Sequence, residues 1–141
     1  MKLSLFIIGL LFFSFQSFGQ IDEVVISQVP DSIMNNSGAS KLLFLKDKLK
    51  AEELARLDIK NGYPFLNLVS GIAPDFSAEQ IDFEKNFNAY YYEHGCISPP
   101  IEIAEAYDFI VLDYLDKKYG NNCIDKVRKD VIGFEKWKNK K

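Results

Sequence analysis

The stretch that begins after Ser98-Pro99-Pro100 and stops at Gly120 has one good solution, a long amphipathic helix, and the rest of the chain must be arranged to cover it. At about 100° per residue, Ile103, Ala104, Tyr107, Ile110, Val111, Tyr114 and Leu115 fall on one face. Glu102, Glu105, Asp113 and Asp116 fall on the other. Proline suits a first helical turn and glycine a C-terminal cap, so both ends are marked. A helix this apolar on one side needs a second layer to bury it.

The candidates for that layer are short. The β-branched run at 23–29 stops at Pro30 and reads as a strand buried on both faces. Residues 65–69 and 88–93 read as a second and a third strand. Between them, Ser77-Ala78-Glu79-Gln80 has the spacing of a capping box and predicts a short helix to about Phe87. Residues 31–39, with Asn35-Asn36-Ser37-Gly38, read as a loop. Ser40 then caps a helix from Lys41 that carries Leu42, Leu45 and Leu49 on one face and breaks near Ala51, where Leu54 and Leu57 fall out of phase. Asn61-Gly62 either closes a hairpin or ends that helix; Pro64 favours the helix end. Asn122 is expected to cap a last helix from Cys123 to about Ile132, ended by Gly133. The order is strand, helix, strand, helix, strand, helix, helix. It predicts an α/β or α+β fold with a small, at least partly parallel sheet of about three strands covered by helices.

Residues 1–19 have the form of a secretory signal peptide: Lys2, an apolar run from Leu3 to Phe13, and small residues at Ser17 and Gly19. The run is interrupted by Ser4 and Gly9 and falls short of the ~20 apolar residues of a spanning helix. Cleavage is expected to leave Gln20 first, with residues 20–141 as a single globular domain, exported to the periplasm or the extracellular space and without a transmembrane segment. Aromatic residues are 14% of the chain, enough to build a core in a domain of roughly 120 residues. The formal charge of −3, one unit more negative without Lys2, argues against nucleic acid as a partner.

Charge is segregated along the chain. Between Ile72 and Asp116 ten acids face one base, Lys85, whereas Lys117 to Lys141 holds nine bases and three acids. Such segments are expected to lie together and neutralise one another. Phe109 and Leu112 sit on the polar side of the long helix among Glu105, Asp113 and Asp116. They either pack under the last helix or form, with those acids, an exposed patch for a protein partner. The tail Lys136-Trp137-Lys138-Asn139-Lys140-Lys141 reads as a frayed basic terminus, with contact to anionic lipid or glycan as the alternative.

Few residues carry a chemical signature. His94 and Cys96 flank Gly95 and are the nearest approach to a base–nucleophile pair. His94, Cys96 and Cys123 lack the paired spacing of a structural zinc site. No cofactor motif is present. In an exported chain with two cysteines, Cys96 and Cys123 are expected to form a disulfide. Alternation along Tyr90-Tyr91-Tyr92 suits an ordinary sheet better than a sugar-stacking platform.

The strings Gly95-Cys96-Ile97-Ser98-Pro99-Pro100, Tyr114-Leu115-Asp116-Lys117-Lys118-Tyr119-Gly120 and the segment 128–137 resemble small signal-peptide-bearing bacterial proteins of unknown function. The resemblance covers roughly the C-terminal half and implies no activity. The sequence therefore points to an exported small globular protein, a non-catalytic binding or interaction protein of the cell envelope or extracellular space. The alternative is a small extracytoplasmic hydrolase using carboxylates or His94.

Overall fold

Side-chain caps decide where the helices start. In the computed structural model, which describes residues 29–69 and 77–141, Ser37 accepts from the Ser40 N–H, Asp47 from Leu49 and Ser77 from Gln80. Each cap satisfies a backbone donor that a helix start leaves over. The elements are α1 (Asp31–Asn36), α2 (Gly38–Lys41) running into a 3₁₀ turn (Leu42–Phe44), α3 (Lys48–Lys60), β1 (Phe65–Leu68), α4 (Ala78–Phe87), β2 (Tyr90–Glu93), α5 (Ile101–Tyr119), α6 (Asn121–Ile124) and α7 (Phe134–Lys138).

The fold mixes helix and strand. β1 and β2 pair in parallel, from Phe65 opposite Tyr90 to Leu68 opposite Glu93, with α4 in the crossover. All four β1 residues are buried, so the sheet is covered on both sides. Among the described residues the sheet has two strands rather than three. The predicted signal segment, Gln20 and all of the predicted first strand but Val29 lie outside the described residues; Val29 itself is buried.

Both edges of this small sheet carry partners from the chain itself. On the β1 side, Val69 N–H donates to the Asp130 carbonyl at 2.9 Å and Ile132 N–H to that of Asn67 at 2.8 Å, around an antiparallel bridge between Leu68 and Val131. On the β2 side, the buried Glu84 of α4 accepts the Tyr91 N–H at 3.3 Å through Oε1. Backbone donors buried beside a sheet need such partners.

Three local expectations are corrected. Residues 31–39 are helical, not a loop, because Asp58 of α3 accepts from the Gly38 and Ala39 N–H groups and Ser37 supplies the cap expected of Ser40. α3 runs unbroken past Ala51. Its inner face is Ala51, Ala55 and Asp58, while Leu49 and Leu57 point outward, 68% and 46% exposed. The expected last helix stops at Ile124. Residues 130–132 leave the helical path to serve the β1 edge, and Gly133, at φ +75°, starts α7 instead of ending a helix.

The core gathers around α5. Ile103, Tyr107, Val111, Leu112 and Leu115 are fully buried against Phe65, Leu66 and Leu68 of β1, with Phe83 and Tyr91 beyond. Tyr91 stacks near Phe83 at 5.0 Å, and Phe65 meets Tyr92 edge-on at 6.0 Å. Tyr90 and Tyr91 of β2 are thus core residues, and Tyr92 is partly buried against the core.

Candidate functional site

A polar line crosses this apolar core. Asn67 in β1 and Asp108 in α5 are both fully buried. Asp108 Oδ1 accepts from the Asn67 backbone N–H at 3.1 Å and from its Nδ2 at 2.7 Å. That orientation turns Asn67 Oδ1 toward His94, whose Nε2 lies 2.8 Å away and donates to it. The imidazole is therefore the Nε2–H tautomer, with Nδ1 left as the acceptor. The ring is half-buried and packs on Tyr92 at 4.8 Å.

Burial lowers the His94 pKa to about 4, so the imidazole is neutral at pH 7. Burial pushes the Asp108 carboxyl well above its ordinary value. Its second oxygen, Oδ2, is buried with no hydrogen-bond partner, which is the place for the retained proton. The two groups give opposite pH dependences. The unfolded chain protonates His94 near 6.5 and the folded chain only near 4, so His94 costs stability as pH falls through that window. The unfolded chain ionises Asp108 near 3.8 before the folded chain does, so Asp108 costs stability as pH rises from there. Urea midpoints measured from pH 4 to 8 are expected to show His94→Gln flattening the acid limb, by about 2 kcal/mol after allowance for partial exposure. Asp108→Asn should flatten the other limb; the slope is the readout, because that substitution also shifts the level. Unchanged slopes in both variants would contradict the two assignments.

A second buried group ties the N-terminal helices down. Asp58 accepts from Gly38 N–H at 2.9 and 2.7 Å through its two oxygens, from Ala39 N–H at 3.3 Å, and from the Tyr107 hydroxyl at 2.6 Å. It lines a cleft of about 240 Å³ with Ser32, Asn36, Asn61 and Tyr63 at the margins. The carboxylate is saturated by the chain's own donors. In a third cluster, Arg128 forks onto Asp130 and donates to Gln80 Oε1 at 2.8 Å, while its backbone N–H reaches the Tyr91 hydroxyl at 3.2 Å. Gln80 in turn donates to Glu84 at 3.2 Å, and burial raises the Glu84 pKa.

The expected interaction patch is covered by the chain itself. Leu112 is fully buried. Phe109 is half-buried beneath Gly133, where an added Cβ would meet its Cε1 at 2.9 Å, and the Lys140 ammonium lies 4.6 Å from its ring centroid. Glu105 pairs with Lys136 and Asp116 with Lys141, and Asp113 accepts from Trp137 Nε1 at 2.6 Å. Of the two placements open to Phe109 and Leu112, intramolecular cover is the one adopted. The tail is correspondingly held, with Trp137 buried against Phe134.

The expected Cys96–Cys123 bridge is not formed in this structure, where both thiols are free. Tyr119, at the end of α5, packs on Phe87 just before β2, and Cys123 follows four residues later. Cys96 sits in the turn after the other end of β2. Cys96 is exposed, whereas burial pushes the Cys123 thiol up to about 12. In the folded protein, alkylation is expected to modify Cys96 and to reach Cys123 only on unfolding, readable by intact mass. Equal labelling of both, or of neither, in the native protein would contradict this placement.

His94 Nε2 is bonded to Asn67 rather than to Cys96, and no group of three or more metal-ligating side chains converges among the described residues. Sequence reasoning passed over Asp108, Asn67 and Asp58. A signal for the first was present, because Ala104, Asp108, Val111 and Leu115 recur at helical spacing and place an acid in the buried stripe. No family model, curated protein or solved structure matches this chain.

Proposed function

We propose that this chain is an exported, non-catalytic binding or interaction protein of the cell envelope or extracellular space. The observation that carries the reading is how its chemically capable side chains are used. His94 donates to Asn67, Asp58 holds a helix start, Glu84 closes a strand edge, and Glu105, Asp113 and Asp116 bind the C-terminal segment. A general base serves catalysis when it reaches a substrate proton. These groups reach the chain's own backbone and side chains instead.

A hydrolase centred on His94 is the second reading, favoured by one feature. The Asp108–Asn67–His94 line fixes the tautomer and leaves Nδ1 with its lone pair, as an orienting array would. His94→Gln separates the two in any strain where loss of the chain has a phenotype. A binding protein is expected to keep its function within about twofold. Loss of a hundredfold or more in a folded variant, the scale of a lost general base, would favour the hydrolase.

A further inference from the structure

Four of the six large apolar side chains left in solvent among the described residues fall in two segments, 44–49 and 97–101; Leu57 and Val69 are the other two. Phe44, in the 3₁₀ turn before α3, is 85% exposed, and Leu49, in the first turn of α3, is 68% exposed. Ile97 and Ile101, in the segment entering α5, are each 69% exposed. Lys48 Nζ lies 3.5 Å from Glu102 Oε2, which joins the first turns of α3 and α5. The neighbours of that ion pair, Leu49 and Ile101, therefore belong to one end of the helix pair. Phe44 and Ile97 lie in the two segments that lead into it.

Around the same end stand Lys41, Lys46, Lys48 and Lys50, all exposed. The single acid among them in sequence, Asp47, is occupied as the N-cap of α3, accepting from Leu49 N–H at 2.9 Å. With Glu102, which pairs with Lys48, four lysines stand here against two acids, in a chain of net charge −3. These apolar side chains come from separate segments rather than from one helix face. Exposed lysines beside such side chains fit a fluid boundary between anionic headgroups and acyl chains, where each side chain can insert independently.

We propose that this end of the molecule, with Phe44, Leu49, Ile97 and Ile101 as insertion points and Lys41, Lys46, Lys48 and Lys50 as the collar, docks on an anionic lipid bilayer. This rests on the interaction-protein reading and names its partner. Buried apolar area and attraction to anionic lipid add at such surfaces, and the electrostatic part is screened by salt. Removing either part is therefore expected to weaken binding, by different routes.

The test is co-sedimentation of the chain from Gln20 onward with vesicles of phosphatidylcholine alone or with phosphatidylglycerol. Binding is expected to be at least tenfold stronger on the phosphatidylglycerol vesicles and to fall as salt rises. Phe44→Ser with Leu49→Ser should reduce it at least tenfold at every salt concentration. Lys46→Gln, Lys48→Gln and Lys50→Gln together should abolish the lipid preference and the salt dependence. All these positions are exposed, and circular dichroism shows whether each variant remains folded. Equal partition with both vesicle types, or anionic binding that the folded variants retain, would overturn the proposal. A chain that ignores vesicles but is held on a protein partner through Phe44 would overturn it in favour of a protein surface. The His94→Gln result is independent of these outcomes: loss of function there with vesicle binding intact removes the non-catalytic reading and leaves the docking surface.

Discussion

Replacing Asp58 by alanine is expected to lower the stability of the folded chain by about 3–5 kcal/mol, the range for stranding the partners of a buried charged group. The carboxylate is 4% exposed and collects the Gly38 and Ala39 N–H groups and the Tyr107 hydroxyl. Without it, three buried donors lose their acceptor at once. α1 and α2 are six and four residues long, too short to persist on their own. They are held by this side chain from α3, about twenty residues away in sequence. Gly38 lies so close that an added Cβ would come within 2.7 Å of Leu54 Cβ, so the segment has no room to find another seat. Tyr107→Phe removes one donor and should cost about 1 kcal/mol. Chemical denaturation of both single variants and the double variant gives the coupling. A loss below 1 kcal/mol in Asp58→Ala would show that α1 and α2 are anchored by something else.

Trp137→Ala should cost a comparable 3–5 kcal/mol, the usual range for emptying a buried aromatic site. The indole is 5% exposed, stacks on Phe134 with an interplanar angle of 14°, and donates to Asp113. The ion pairs beside it are weaker. Lys136 with Glu105 and Lys141 with Asp116 hold lysines that are half-exposed, so Lys136→Gln and Lys141→Gln should each cost about 0.5 kcal/mol or less and only at low salt. Thermal melts of these variants at two salt concentrations decide which contribution holds the C-terminal segment. A lysine effect equal to that of Trp137→Ala would mean that charge, not burial, is the clasp.

The legible parts of this fold were those fixed by neighbours in sequence. Proline and glycine bracketed α5, Ser77 and Gln80 announced α4, and the acidic and basic segments met as their charges required. The illegible parts depend on distant partners. The segment 31–41 has turn-forming residues and is helical because Asp58 reaches it. In α3 the leucines carry the strong periodic signal, whereas the buried positions are Ala51 and Ala55, whose small side chains give a weak one. Residues 130–132 have helix-compatible neighbours but are taken by the β1 edge. For the candidate site, His94 was visible as the lone histidine, while Asn67 and Asp108 behind it became evident only once β1 lay on α5. The cysteine count is plain in the sequence, whereas the placement of Cys96 and Cys123, unbonded here, depends on the direction and length of one helix.

The closure of the sheet bears on how the molecule can join another. A strand with free amides and carbonyls invites a foreign strand to extend it, which is how many extracellular chains polymerise or capture extended peptides. Here Glu84 occupies that position on β2, and the backbone of Asp130 and Ile132 occupies it on β1. Strand addition would first require the 128–133 segment to peel away, or Glu84 to give up the Tyr91 amide. Among the described residues, an incoming strand would thus have to compete with partners that the chain itself supplies on both sides of the sheet.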